Sequence, residues 1–231
     1  MQEQPSLLVS QQPKPVLLDV TNVAFLTKGP YSFSVAAGEC VGLSGRSGIG
    51  KTQLLRAMAD LIPCTGNVVL NGIDAQKIPA PRWRQMVGMV PADPQWWFDL
   101  VGDHFPKNEQ MDTLLPTLER LGFAMDVLNW EVSRLSTGER QRLALIRALV
   151  PEPIVLLLDE PSSALDATHT NSLEELLAEL RQSKELGIVW VSHDPAQLRR
   201  VANRIFTLEE HTLLEIVTNR TNMLPERLSQ A

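Results

Sequence analysis

Residues Gly45 to Thr52 read "GRSGIGKT", and the elements on either side of them decide the fold. Upstream, "CVGLSG" (Cys40 to Gly45) reads as a buried strand that runs straight into the glycines. Downstream, "KTQLLRAMADLI" (51–62) places Leu54, Leu55, Met58 and Leu61 at helical spacing, which predicts an amphipathic helix stopped by Pro63. The loop between them has the form GxxxxGK[ST]. Its glycines, Gly45, Gly48 and Gly50, let the backbone curl so that N–H groups along Arg46, Ser47 and Ile49 can point at the phosphates of a nucleotide. The helix adds its positive N-terminal end. In such a loop Lys51 holds the β/γ oxygens and the Thr52 hydroxyl binds Mg²⁺. A glycine-rich turn without chemistry is the competing explanation, and the strand-loop-helix context argues against it.

A phosphate loop needs an acidic partner. "IVLLLDE" (Ile154 to Glu160) is uniformly apolar and then acidic, as expected for a central parallel strand covered on both faces. Asp159 would join the Mg²⁺ shell, and Glu160 is placed to polarise an attacking water. Alone, an apolar strand ending in Asp-Glu could equally be a turn onto a loop. "IVWVSHD" (Ile188 to Asp194) repeats the apolar-then-polar pattern and sets His193 at the end of another strand.

Other stretches fill in the architecture. "YSFSV" (Tyr31 to Val35) alternates like a half-buried strand, "TGNVVLNG" (65–72) reads as a short strand between turns, and "RQMVGMV" (84–90) reads as another strand. Residues 100–150 read as mainly helical. Leu173, Leu176, Leu177 and Leu180 share a helical face, and "RIFTL" with "TLLEIV" suggests a closing hairpin. The Gln- and Pro-rich residues 1–15 are expected to be a flexible tail, with one domain over 16–231. Strands alternating with helices imply an α/β fold on a mostly parallel sheet.

Composition narrows the partners. A net charge of −6 on 231 residues argues against nucleic acid, which calls for a basic surface. Cys40 and Cys64 lack zinc or CxxC spacing and read as reduced thiols in a cytosolic chain. The N-terminal sequence shows no secretory pattern. No apolar run approaches the roughly 18 residues a spanning helix needs. A membrane role would therefore need another subunit.

A second glycine-containing turn opens a helix at "LSTGERQRLALIRAL". Ser136 and Glu139 stand in the S-x-x-E relation of a capping box, and Leu143, Ile146 and Val150 follow one face. Such a helix start can bind phosphate, or it can simply be a capped helix.

Taken in order, the phosphate loop, "LSTGE", "LLLDEP", "SALD" and "SHD" resemble the ATP-binding cassette (ABC) ATPases of transporters, over about Phe25 to Leu208. The resemblance implies a P-loop NTPase core, an antiparallel β sub-domain and a helical sub-domain at about 95–150. It implies ATP and Mg²⁺, a homodimer formed on ATP binding, a multi-span membrane permease as partner, and a cytoplasmic place for this chain, peripheral on the inner face of the cell membrane. It also implies that Ser136, Thr137, Gly138 and Glu139 cap the nucleotide of the other subunit, and that Phe25 stacks on adenine or else is a core residue. Ser163 to Asp166 would cross the dimer interface, and His193 would sense the γ-phosphate. Bacterial iron or metal-ion exporters look most similar in type. A soluble cluster-assembly ATPase and a weakly active nucleotide-dependent regulator are the rival readings.

Three departures from the family pattern stand out. Ala92 occupies the place of a metal- and water-contacting Gln, leaving water, Asp93 or Gln95 to complete that shell. Thr137 and Glu139 replace Gly and Gln in the signature. Trp96, Trp97 and Phe98 come directly after the Ala92 loop, either as anchors of the helical sub-domain or as the groove that receives a permease helix.

Overall fold

Strand β3 (Cys40–Ser44) pairs in parallel with two strands from the far end of the chain, β8 (Gly187–Val191) on one side and β9 (Arg204–Leu208) on the other. The sheet continues through β7 (Val155–Asp159) to β6 (Val87–Val90), both parallel. It is closed at the other edge by antiparallel β10 (Leu213–Ile216), giving the order β10-β9-β3-β8-β7-β6. Every residue of β7 and β8 is buried, which explains their unbroken apolar character. This computed structural model describes residues 14–106 and 110–216. The expected tail therefore lies outside the described residues except for Lys14 and Pro15.

A second, antiparallel sheet has the order β2-β1-β4-β5, with β1 (Val16–Phe25), β2 (Lys28–Ala36), β4 (Thr65–Leu70) and β5 (Ile73–Asp74). Strand β1 escaped the sequence reading for a physical reason. Its inward set runs Leu18, Val20 and then Val23, Phe25. The pairing slips between Val20 and Val23, where Asn22 takes φ 54°. One inserted residue breaks the alternation on which strand recognition rests.

Helix α1 (Lys51–Met58) packs between the sheets, with Leu54, Leu55 and Met58 fully buried. It is shorter than the expected 51–62. Asp60 adopts a left-handed φ of 54° and Leu61 turns out to solvent at 51% exposure. The expected strand over 84–90 is also corrected. Its first half belongs to α2 (Ala80–Met86), which opens on Pro79 and Pro81, and β6 supplies only the second half. Proline pre-sets the first helical turn, and the helix buries Trp83, whose Nε1 donates to the Met58 carbonyl at 2.9 Å.

Residues 100–150 hold helices α3 (Gln110–Arg120) and α4 (Thr137–Leu149), joined by short 3₁₀ turns at Met125–Asn129 and Val132–Arg134. Helices α5 (Ala167–Ser183) and α6 (Pro195–Val201) follow the central strands. Leu118, Leu121, Val127, Leu143 and Ile146 join Leu156, Leu173 and Ile188 in a second apolar cluster. That cluster ties the helical region to one face of the parallel sheet.

Candidate functional site

The carboxyl ends of β3, β7 and β8 lie side by side, and each is followed by a polar segment. After β3 the loop curls through Gly48 at φ 75° and Gly50 at φ 113°. A Cβ at Gly48 would meet nothing within 4 Å, so the requirement for glycine there is conformational and the face of the loop stays open. Gly50 caps α1 without any side-chain bond, which leaves first-turn N–H groups for an anion. Lys51 folds back into the loop, donating from Nζ to the carbonyls of Gly45 at 2.7 Å and Arg46 at 3.1 Å. Its side chain is 6% exposed. Burial lowers its pKa, opposed by the nearby carboxylates of Glu160 and Asp159. Arg46, Ser47 and Gly48 face solvent, while Ile49 plugs the core.

Thr52 Oγ1 donates to Asp159 Oδ2 at 2.7 Å, joining the start of α1 to the end of β7. Asp159 is 3% exposed. One carboxylate and one hydroxyl, both hard oxygen donors beside a phosphate loop, fit Mg²⁺, which keeps water and takes substrate phosphates as ligands. Among the described residues no group of three or more His, Cys, Asp or Glu stands close enough to hold a metal ion alone.

Next to Asp159, Glu160 sits at φ 50°, an uncommon conformation for a non-glycine residue and one that clusters at functional sites. Its N–H donates to the Val191 carbonyl at 3.1 Å. Its Oε1 is buried with no aligned hydrogen-bond donor, and His193 Nε2 lies 3.3 Å from it. Burial raises the Glu160 pKa, while His193 and Lys51 pull it back down. A carboxylate in this state can accept a proton from water.

Behind this pair runs a network that the sequence reading missed. Gln197, 3% exposed, accepts from Ser192 Oγ at 2.9 Å and donates to Ser162 Oγ and Glu174 Oε1 at 2.8 Å each. It links the segment after β7 to the segment after β8. Gln141 of α4 adds a bond from Nε2 to the Glu160 carbonyl at 3.3 Å. Buried amides carry no sequence signature, so only the fold reveals them.

At the start of α4 the capping box is complete. Glu139 N–H donates to Ser136 Oγ at 3.3 Å, and Glu139 Oε2 accepts from Ser136 N–H at 2.8 Å and from Ser136 Oγ at 2.7 Å. These bonds from Ser136 hold the Glu139 pKa down. Ser136 and Thr137 remain exposed. Gly138 packs so closely that a Cβ there would stand 2.9 Å from the Ala164 carbonyl, seating the helix start on the Ser163–Asp166 segment. Asp166 caps α5, accepting from His169 N–H at 2.8 Å.

Ala92, Asp93 and Gln95 are exposed, and Gln95 Nε2 donates to Asp93 Oδ2 at 3.1 Å, so those two side chains are engaged with each other. Trp97 and Phe98 are 65% and 50% exposed and gather round His104, which anchors the loop. Its Nε2 accepts from the N–H groups of Trp97 and Phe98 at 3.0 Å each. Arg147 stacks on Trp96 and Trp97, its guanidinium 4.5 and 4.9 Å from the two ring centres. A cleft of about 620 Å³ opens beside them, lined by Met89, Trp97, His104 and Arg147 among others. Phe25 differs from the stacking expectation. It is 2% exposed and packs on Tyr31 at 5.9 Å, so this conformation offers no ring face to a base.

Residues 29–163 match the ABC transporter family. The chain is 34% identical over 208 residues to the probable iron export ATP-binding protein FetA of Escherichia coli, covering 84% of this chain and 92% of FetA. It is 30% identical over 233 residues to the methionine import ATP-binding protein MetN of Rhodopseudomonas palustris, covering 90% of this chain and 62% of that longer one. Its fold matches a solved ATP-binding subunit of an ABC transporter with a TM-score of 0.78 at 23% identity, over 86% of this chain and 89% of that one. With the loop, the acidic strand end and the capped helix arranged as above, the chain belongs to the ABC transporter family and carries its ATP-binding domain.

Proposed function

We propose that this chain binds MgATP and hydrolyses it in a homodimer, driving a separate membrane permease. The observation that carries the reading is the convergence of Lys51, the Thr52–Asp159 pair and the Glu160–His193 pair at three adjacent strand ends. Lys51 and the N–H groups of residues 45–52 hold the phosphates. Thr52 and Asp159 hold the Mg²⁺ that accompanies ATP, whose charge offsets that of the phosphate oxygens. Glu160 orients a water and takes its proton as the water oxygen bonds to the γ-phosphorus and the bond to ADP breaks. His193, 57% exposed at its side chain, reads the γ-phosphate. Ser136 to Glu139 and Ser163 to Asp166, with Ser136, Thr137, Ser163, Ala164 and Asp166 exposed, serve the nucleotide of the second copy.

No helix among the described residues is long and apolar enough to cross a membrane, so the partner brings the chain to the inner face of the bilayer. Trp97, Phe98 and the cleft beside Arg147 are the docking place for a permease helix. Solute and direction are properties of that partner. The relatives carry names of both export and import systems, and the ATP-binding domain is common to them.

The test is a mixing experiment. A Ser136→Ala copy is paired with a Lys51→Ala copy, and ATP turnover of the mixture is compared with each alone. The expected result is asymmetric: in the heterodimer, the site built from the good loop and the good signature retains activity, while either homodimer is strongly impaired. Full activity of the Ser136→Ala homodimer contradicts the shared-site reading. Absence of nucleotide binding by the wild-type chain contradicts the function altogether.

A further inference from the structure

We infer that Lys28 is a positioning residue of the nucleotide site, holding the second half of the phosphate loop in its binding conformation from outside. This rests on the nucleotide-binding reading above and adds a residue to it that lies outside every sequence motif.

Lys28 faces Phe25 across the two-residue turn between β1 and β2. From there its Nζ donates to the carbonyl of Ile49 at 2.6 Å and of Gly48 at 3.1 Å. Its Cδ lies 3.0 Å from where a Cβ on Gly50 would stand. The side chain therefore lies along the loop itself. Among the described residues no carboxylate forms an ion pair with it, so the two loop carbonyls are its counterparts.

The consequence follows from peptide geometry. In a trans peptide the carbonyl and the following N–H point in opposite directions. Drawing the Ile49 carbonyl towards Lys28 turns the Gly50 N–H the other way, to the open side of the loop; the Ile49 N–H, turned likewise by the Gly48 carbonyl, closes a turn onto the Arg46 carbonyl at 3.3 Å. Loop N–H groups are what a phosphate loop offers its ligand. Lys51 draws in the Gly45 and Arg46 carbonyls, so two lysines clamp the two halves of one loop. The Lys51 bonds compete with phosphate for the same amino group. The Lys28 bonds need not break when a ligand arrives, which makes them a device of pre-organisation.

The turn that carries Lys28 is itself braced. Gly29 N–H donates to the Glu210 carbonyl at 3.0 Å, and the Tyr31 hydroxyl contacts the carbonyls of Glu209 and Glu210 at 2.7 and 2.8 Å. The hairpin is thereby fixed to the turn between β9 and β10, and Lys28 stands on a rigid base.

The experiment measures the affinity of fluorescent ATP and ADP analogues, with Mg²⁺, for the full chain and for its Lys28→Met, Lys28→Arg and Lys51→Ala variants, together with each variant's melting temperature. Lys28→Met is expected to weaken both nucleotides about tenfold and by the same factor, the scale of a lost charge-assisted hydrogen bond. The common factor follows because the loop cradles phosphates that ADP and ATP share. Lys28→Arg restores most of the affinity. In steady state the effect falls mainly on KM.

If Lys28→Met melts earlier but binds both nucleotides as the wild type does, the residue is only structural and the inference is overturned. A loss confined to ATP also overturns it, because that would mean direct contact with the γ-phosphate. Should Lys28→Met fail to fold, Lys28→Gln is measured in its place, with a loss of affinity again expected and wild-type affinity again contradicting it. Binding by the wild type and loss in Lys51→Ala, with Lys28→Met unaffected, sinks this inference alone. Failure of the wild type to bind sinks the nucleotide reading with it.

Discussion

The Glu160 carboxylate lies 3.3 Å from Nε2 of His193, although the residues are 33 positions apart and neither sits within a strand. Their meeting is a consequence of sheet order. β7 and β8 are adjacent and parallel, with Asp159 opposite Val191, so the residues just beyond each strand emerge at the same level. The bond from Glu160 N–H to the Val191 carbonyl extends the ladder by one step. It holds Glu160 in its left-handed backbone conformation. The pair is thus set by the fold before any ligand arrives.

Glu160→Gln keeps the shape of the side chain and removes its ability to take a proton. ATP turnover should fall by about 10²–10⁴-fold, the usual worth of a general base, while nucleotide binding survives. Size-exclusion chromatography in MgATP should then show a persistent dimer. A variant that turns over ATP at the wild-type rate removes Glu160 from the chemistry.

The same substitution has a separate signature in stability. The folded pKa of Glu160 is raised above its ordinary 4.5, first by burial. Between 4.5 and that raised value the folded state binds more protons than the unfolded one. The stability contributed by the neutral form is therefore lost as pH rises through the folded pKa. Glu160→Gln should melt higher than wild type at pH 8, with the difference shrinking as the pH falls towards 4.5. Thermal melts of wild type and Glu160→Gln across that pH range measure the effect. A Gln variant no more stable than wild type at pH 8 contradicts the burial cost.

Much of this was legible in the residues and some was not. Gly45 to Thr52 and Ile154 to Glu160 announce themselves because phosphate binding and a doubly covered strand each demand special residues in sequence order. Ser136 with Glu139 is equally local, and its two-way capping bonds follow the spacing. What stayed hidden depends on contacts distant in the chain. Gln197 and Lys28 gain meaning only from what the fold places beside them. β1 hid because an irregularity at Asn22 shifts its inward residues by one. The first half of "RQMVGMV" reads as one run with its apolar second half, yet Pro81 and the burial of Trp83 make it helix.

At the start of α4, Ser136→Ala removes the acceptor for Glu139 N–H and the hydroxyl donor to its carboxylate. The loss should be about 1 kcal/mol, a fall in melting temperature of roughly 2–4 °C for a chain of this size. The pH dependence has the opposite sense to that of Glu160. The Glu139 pKa is depressed by the Ser136 hydroxyl and N–H, so its contribution is present above the ordinary 4.5 and fades as pH drops through the folded value. Ser136→Ala should therefore cost more at pH 7 than at pH 3. Differential scanning calorimetry at the two pH values tests this, and an equal cost at both would mean the carboxylate is not held by the serine.

Phe25 is where the two readings of one residue, stacking on adenine and packing in the core, part ways. A ring stacked on adenine must present a face, whereas Phe25 is 2% exposed and lies in the apolar cluster with Val23, Tyr31, Ile49 and Leu54. Truncation of such a ring, Phe25→Ala, should cost about 3–5 kcal/mol and lower the melting temperature by more than roughly 6 °C. The gentler Phe25→Leu keeps the site apolar without an aromatic face. Its ratio of ATP to GTP affinity should match that of the wild type, because a core residue contributes shape and a stacking residue contributes base preference. Equilibrium binding of the two triphosphates measures the ratio directly. If Phe25→Leu instead loses affinity for ATP at least tenfold while melting near the wild-type temperature, the ring leaves the core to meet the base, and its role is recognition.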